Sequence, residues 1–477
     1  MTHPNAATLA APDIPSKPLS FIRYGLAMNE SLIAGFDAGA FNEDVVERKF
    51  LWFHHFLVNH PDGIKRVLLD NVRNYVKART VRPLVVPALG NGLVTSEGDT
   101  WRWHRRIMSP SFTSSSIAEY APTMTSAVDS MLREWDALDS GAILELDKSM
   151  MALMLEIISR TMFSSDSNMI KRVLERSSRE YQNEMTLSPL ALIPGINKVW
   201  ASYKRRRAAH ILSNLNATIY SLIGERRQDR RGPPQPDLLD RLMSARDAET
   251  GQQLSDTDIR DQVVTIFVAG HETTALALTW AWYLLAKQPA EEAKFHAEID
   301  EALRGRQASY ADAQNLPFVK MVLEEALRLY PPVHSLAWRE AVASDEICGR
   351  HIPAGALVAV VPWVVHRHQA LWDEPDRFEP ERFCRERSNK RPRYAYIPFS
   401  GGPRVCIGAA FAMIEGVLAL AQIGQRYRFR LVEEHRVEPR GLLTLHPKNG
   451  LNVCLVPRYP SNQAAGRSAR HDTPRDQ

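Results

Sequence analysis

The sequence predicts a mainly helical fold with a smaller β portion, built around one large core. Three observations carry that prediction. A long, mostly apolar helical segment runs from Ile259 to about Lys287. Two further stretches, Asn315 to Tyr330 and Ile407 to about Gln425, also have helical apolar spacing. The strand-like runs, in 50–58, 333–365 and around 441–456, are short.

Taken in order, residues 1–20 are a Pro/Ala-rich lead-in, and Phe50 to Val58 is an aromatic and aliphatic run that reads as a strand. Asn59-His60-Pro61-Asp62-Gly63 then turns the chain into a short helical pattern, Ile64 to Leu69. Arg230–Pro236 (RRGPPQP) is a loop, because glycine and consecutive prolines break any regular element. Ser255 or Asp256 caps the long segment, Asp258 lies in its first turn, and Pro289 stops it. At ~1.5 Å per residue this helix spans on the order of 45 Å, enough to cross a domain. It is apolar around most of its circumference and is therefore predicted to be buried on all sides. Pro331-Pro332 ends the next helix, residues 333–365 read as short strands and turns, and 366–400 as an irregular Pro/Arg/aromatic stretch. Strand-like segments follow the last helix around Gly441–Leu445 and Gly450–Val456. The polar tail, residues 461–477, is predicted to be disordered. The domain organisation is thus a lead-in (1–20), one domain (21–460) and the tail, although 477 residues would suggest about three domains by length.

Composition narrows the function classes. With 44% apolar and 24% charged residues the chain is an ordinary globular protein. A net charge of +4 is too balanced for a nucleic-acid binder, and Lys204–Arg207 reads as a solvated helix face. Four cysteines, none spaced C-x-x-C, exclude a disulfide framework and a zinc ribbon and point to a reducing compartment. The N-terminal stretch lacks the apolar core of a signal peptide, and the longest apolar run, Ala356–Val365, is about half a membrane span and contains Pro362. A cytoplasmic protein without a transmembrane anchor is expected.

One cysteine has unusual surroundings. In Phe399-Ser400-Gly401-Gly402-Pro403-Arg404-Val405-Cys406-Ile407-Gly408-Ala409, two glycines and a proline force a tight loop. Cys406 stands just before an apolar helix, whose N–H groups and dipole favour an anion. A thiolate with a lowered pKa is predicted there, a good soft ligand for iron, with Arg404 adding positive charge and Phe399 shielding the sulfur.

Phe399-x-x-Gly402-x-Arg404-x-Cys406-x-Gly408 resembles the haem-binding signature of the cytochrome P450 family at every defined position. The resemblance implies that Cys406 is the axial thiolate ligand of the iron of heme b, with the backbone N–H groups of Ile407, Gly408 and Ala409 bonded to its sulfur. It also implies a P450-type fold in which the long helix crosses over the haem.

Ala269-Gly270-His271-Glu272-Thr273-Thr274 lies within that helix. Small residues at 269 and 270 would leave room for a flat ligand, and Gly270, Thr273 and Ala277 share a face. A buried acid beside a hydroxyl is costly unless it serves something. The resemblance implies catalytic roles: Thr273 on the oxygen side and Glu272 as the acid that relays protons. His271-Glu272 opens an H-E-x-x-H zinc pattern, but Ala275 stands where the second histidine is needed.

Glu325 and Arg328 are three apart on one helix face, a spacing that permits an ion pair. With Arg382 in Phe378-Glu379-Pro380-Glu381-Arg382-Phe383 they resemble the family's buried Glu–Arg–Arg network, a structural element bracing the cysteine loop. Trp101 and Arg105 in GDTWRWHRR match the family's W-x-x-x-R helix, and Arg105, Arg404 and Arg339 are the candidate partners of the haem propionates. No G-x-G-x-x-G follows a strand, so electrons must reach the chain indirectly from NAD(P)H through a separate redox partner, a ferredoxin with its reductase or similar.

The implied function is a monomeric haem-thiolate monooxygenase that uses dioxygen and two externally supplied electrons to hydroxylate or otherwise oxidise a hydrophobic small molecule. A haem-based sensor and a peroxide-driven oxidant are the alternatives, and the Glu272–Thr273 pair argues against both. Residues 84–95 and 187–200, with Ile266 and Phe267, are the candidate walls of a substrate channel.

Overall fold

The central helix, Asp256–Lys287, organises the molecule. Ser255 caps it reciprocally with Asp258: the Asp258 N–H donates to Ser255 Oγ at 3.1 Å and the Ser255 N–H to Asp258 Oδ2 at 3.0 Å. In this computed structural model, which describes residues 9–50, 53–79, 82–164, 172–173, 176–177, 180, 196–228, 236–335 and 337–459, nearly every residue from Ile259 to Leu285 is buried. By length and apolarity alone the helix could cross a membrane, but 78% of its most apolar window is packed inside the protein, as in the core helix of a globular fold. The helix Leu146–Phe163 lies along it, and Pro317–Leu329 and Ala409–Arg426 pack on its other side. Trp280 anchors its far half, stacked on Tyr330 at 4.1 Å and donating from Nε1 to the Leu445 carbonyl.

A five-stranded sheet flanks the helices in the order Val45–Phe50, Phe53–Val58, Leu357–Val360, Ala337–Ala341, Tyr75–Lys77. All neighbours are antiparallel except Phe53–Val58 with Leu357–Val360, and the register sets Lys77 opposite Arg339. Near the C-terminus, Asn452–Pro457 pairs with both Tyr427–Leu431 and Ile143–Glu145, and Pro439–Gly441 forms a hairpin with Leu445–Pro447.

The predicted helical architecture is present, with shifted boundaries. The helix expected at 315–330 runs Pro317–Leu329, because Pro317 presets its first turn and Pro331 forbids its continuation. The strand expected over 50–58 is two strands of a hairpin, with Phe50 paired to Phe53. The run Gly441–Leu445 is not a strand: Leu442 and Leu443 form the exposed tip of the C-terminal hairpin. The segment Ile64–Leu69 is a single α-turn, Pro61–Lys65, followed by a π-turn, Arg66–Asp70. The predicted tail and most of the loop 230–236 lie outside the described residues, as does 187–195 of the second channel wall.

Candidate functional site

The cysteine loop is held from both sides. The Cys406 N–H donates to the Phe399 carbonyl at 2.9 Å, closing the loop, and Phe399 itself packs on the main core. Gly402 has φ +63°, and a Cβ there would lie 2.0 Å from the Leu68 carbonyl oxygen, so only glycine lets the loop rest on the π-turn. Gly408 donates its backbone N–H to the Cys406 sulfur. The Ala409 N–H instead bonds the Cys406 carbonyl at 3.4 Å, and the Ile407 side chain packs into a neighbouring apolar cluster.

The predicted lowering of the Cys406 pKa is corrected. Burial pushes the thiol up, and the Gly408 N–H and the Arg105 charge only partly offset it. The helix begins at Ala409, and the N–H of its N-cap, Gly408, is the one that reaches the sulfur. Deep as it lies, the Cys406 side chain still presents open surface. A desolvated sulfur of this kind becomes an anion when a cation binds it. Among the described residues no group of three or more His, Cys, Asp or Glu could hold a metal ion. Cys406 offers a single soft sulfur donor.

In the middle of the central helix burial is interrupted. Ala269 is exposed and Gly270 and Thr273 half-exposed, between fully buried turns on either side. Ala269 thus faces the open side, and a Cβ at half-exposed Gly270 would make ordinary contact with Ile158 of the adjacent helix at 3.5 Å. Thr273 Oγ1 donates to the Ala269 carbonyl at 2.7 Å and Thr274 Oγ1 to Gly270 at 3.2 Å. His271 is buried, with Nδ1 2.7 Å from the Phe267 carbonyl. Phe267 is buried against His271 and offers no wall to a channel. Glu272 is 4% exposed, and its Oε1 accepts from Thr444 Oγ1 at 2.7 Å and from His446 Nε2 at 2.9 Å. Burial alone would raise this carboxyl, but His446, Thr444 and His271 together hold it below its ordinary value.

The loop after Arg82–Leu89 is clamped onto the start of the central helix. Asn91 N–H donates to Asp261 Oδ2 at 2.6 Å and Leu93 N–H to Gln262 Oε1 at 2.9 Å. Gly90 and Gly92 permit this approach, since a Cβ at either would strike Asp261 or Thr265.

A cationic cluster lies beside the cysteine loop. Arg404 donates to the Ser96 carbonyl at 2.9 Å and to Glu97 Oε2 at 2.6 Å, and its guanidinium lies 4.2 Å over the Trp101 ring. Arg105 Nη1 donates to the Val405 carbonyl at 2.8 Å. Arg339 is 9% exposed and directly opposite Lys77, a like-charge pair that disfavours the sheet unless an anion lies nearby. Lys77, which the sequence did not single out, bonds the Val94 and Ser96 carbonyls and faces Glu97 at 3.5 Å. Burial and the charges of Arg404 and Arg339 bring its pKa down to about 7. Burial likewise lowers Arg404 to about 10. Three cations around one carboxylate leave positive charge that two acidic groups of a ligand would neutralise.

The bracing network is fully enclosed. Glu325 and Arg328 form a bidentate pair at 2.6 and 2.8 Å, both side chains 0% exposed. Arg382 approaches Glu325 at 3.4 Å and bonds the Glu374 carbonyl. Arg328 also donates to the carbonyls of His366, Pro375 and Arg377. His366, missed in the sequence, links this network to the cysteine loop. Burial keeps its ring neutral, so Nε2 accepts from the Ile397 N–H at 2.9 Å while Nδ1 faces the Arg328 carbonyl at 3.2 Å.

Glu415, nine residues beyond Cys406 on Ala409–Arg426, is buried against Thr274 of the central helix. Burial pushes its carboxyl up to about 8. The folded chain therefore keeps a proton that the unfolded chain releases near pH 4.5, and stability falls as pH rises through about 8. Glu415→Gln is expected to flatten this loss, by up to ~1.4 kcal/mol per pKa unit removed. Thermal melts from acid to alkaline pH check this; parallel pH profiles for the two proteins would contradict it.

Comparison with known proteins decides the family. The model of the cytochrome P450 family matches residues 40–454. The chain belongs to the cytochrome P450 family. Among its curated relatives, cyclooctatin synthase of Streptomyces melanosporofaciens is 36% identical over 402 residues, 82% of this chain and 84% of the relative. Pentalenene oxygenase of Streptomyces avermitilis is 31% identical over 405 residues, covering 84% and 87%. The crystal structure of the cytochrome P450DA heme domain superposes with a TM-score of 0.79 at 26% identity, covering 95% of this P450 and 99% of that chain. This P450 is a haem-thiolate oxidoreductase that oxygenates hydrophobic small molecules, and like its family it draws electrons from a redox partner. The lone sulfur donor and the surplus cations fit a haem with two propionates.

Proposed function

We propose that this P450 hydroxylates a polycyclic terpene, converting R–H, dioxygen, two electrons and two protons to R–OH and water. The observation that carries this reading is Cys406, a single sulfur donor with open surface in a loop held by Phe399, Leu68 and Arg105 beside surplus cations, together with the open turn Ala269–Thr273 of the central helix. The names of relatives that act on cyclooctatin precursors and pentalenene support the substrate class. Haem, held by Cys406, supplies the dioxygen chemistry. The protein's own part is positioning and proton management. Cys406 ligates the iron, with Phe399, Gly402, Ile407 and Gly408 shaping its loop. Arg105, Arg339, Arg404 and Lys77 hold the propionates, and Trp101 holds Arg404 in place. Glu325, Arg328 and Arg382 brace the loop. Glu272 carries protons toward the open turn, where Thr273 presents a hydroxyl to dioxygen.

The electrons come from NAD(P)H through a ferredoxin and its reductase, and the enzyme acts as a monomer in the cytoplasm, its single haem domain spanning 21–460. Four unpaired cysteines support the reducing compartment.

Thr273→Ala tests the proton role. Among the described residues its hydroxyl bonds the Ala269 carbonyl on its own helix, so removing it is expected to leave haem binding intact. Electron use is expected to uncouple from product, with peroxide or water formed instead. Product per NAD(P)H consumed, measured with a surrogate ferredoxin system and pentalenene among the terpenes offered, checks it. Unchanged coupling would remove Thr273 from the mechanism.

A further inference from the structure

We propose that His446 is the positioning residue that feeds protons from solvent to Glu272. This rests on the proton role proposed for Glu272. Glu272 is buried to 4% exposure, so its proton must come through a neighbour. Thr444 reaches its Oε1 at 2.7 Å and His446 at 2.9 Å, and the two are 2.8 Å apart. Of the two, only a histidine has a second ring nitrogen that can take up a proton from water as the first gives one up. The His446 side chain is 32% exposed, so one end of the triad is wet and the other dry.

The fold holds this contact firmly. His446 lies on the hairpin strand Leu445–Pro447, and its neighbour Leu445 is tied to the central helix through Trp280 and to the Pro332 carbonyl through its own N–H. Because Glu272 accepts, His446 Nε2 carries the hydrogen. Water first protonates the ring at Nδ1; the imidazolium passes its Nε2 proton to Oε1, the carboxylic acid hands its proton on toward the open turn and returns to carboxylate, and the neutral ring is reprotonated from solvent. The charged and titratable groups around the triad are His271 on the central helix, His334 beside the hairpin, Arg440 opposite His446 in register, and the Lys448–Glu438 pair beyond. His334 is held neutral by burial, with a pKa of about 4, and so does not compete as a donor near neutral pH.

Glu272→Gln, His446→Ala and His446→Gln are compared as holoproteins in two measurements. The first is an infrared pH titration of the Glu272 carboxyl, identified by its absence in Glu272→Gln. In His446→Ala this carboxyl is expected to titrate at higher pH than in the parent, because its main hydrogen-bond donor and positive neighbour are gone. The second is the pH profile of oxygen consumption driven by a surrogate ferredoxin and its reductase. Glu272→Gln is expected to slow it on the order of 10²-fold, as loss of a general acid does, and His446→Gln by about tenfold with the shape of the pH profile changed. His446→Gln keeps a hydrogen-bond donor in place, so a merely structural histidine would leave that shape unchanged. An unmoved carboxyl titration, or an unmoved profile in His446→Gln, overturns the proposal. If Glu272→Gln itself consumes oxygen at the parental rate, the proton role of Glu272 fails instead.

Discussion

In Cys406→Ser, the reduced holoprotein under carbon monoxide is expected to lose the red-shifted absorption band that marks a thiolate ligand, and monooxygenase activity with it. The magnitude is close to complete loss, because sulfur is what pushes electron density toward bound oxygen. Serine keeps the size of the side chain, so the loop should survive. Its supports are the Cys406 N–H to Phe399 bond and the close fit of Gly402 on Leu68, and neither uses the sulfur. The variant should therefore fold and still take up haem, with its melting temperature little changed. Retention of the thiolate band would mean that another cysteine ligates the iron. Cys348, Cys384 and Cys454 are the remaining thiols.

The second large effect concerns stability. Arg328→Leu leaves the Glu325 carboxylate fully buried without its bidentate partner and three carbonyls without their donor. Breaking a buried pair by removing one partner costs about 3–5 kcal/mol. Arg382, at 3.4 Å, is too far and too poorly aligned to take over. The loss should spread to the cofactor, because Arg328 fixes the His366 carbonyl and His366 fixes Ile397, two residues before Phe399. The expected result is a protein that unfolds at lower denaturant and retains less than the full complement of haem. Denaturant unfolding and the haem-to-protein ratio measure both. A variant with parental stability would show that the network is not what holds the loop.

Much of this was legible in the sequence, for physical reasons that differ by element. The central helix was readable because a mostly apolar segment between a cap at Ser255 and a stop at Pro289 admits few alternatives. The Cys406 loop was readable because its constraints are local: Gly402 must be glycine where the chain rests on Leu68. Glu325 and Arg328 are three residues apart and meet as the helix spacing requires. What escaped depends on distant segments. His446 and Thr444 reach Glu272 across more than 170 positions, and no spacing rule connects them. Lys77 becomes a cation of the site only because the sheet register sets it against Arg339. His366 and Glu415 look like ordinary polar residues until burial deprives them of water. The expected lowering of the Cys406 pKa failed for the same reason: proximity to a helix start is visible in sequence, whereas the depth of the sulfur is not.

The central claim is that a single sulfur, that of Cys406, binds the iron. X-ray absorption at the iron edge of the purified ferric holoprotein tests it most directly. The expected result is one sulfur scatterer beside the porphyrin nitrogens, lost in Cys406→Ser. An iron shell made of nitrogen and oxygen alone in the parent protein would contradict it.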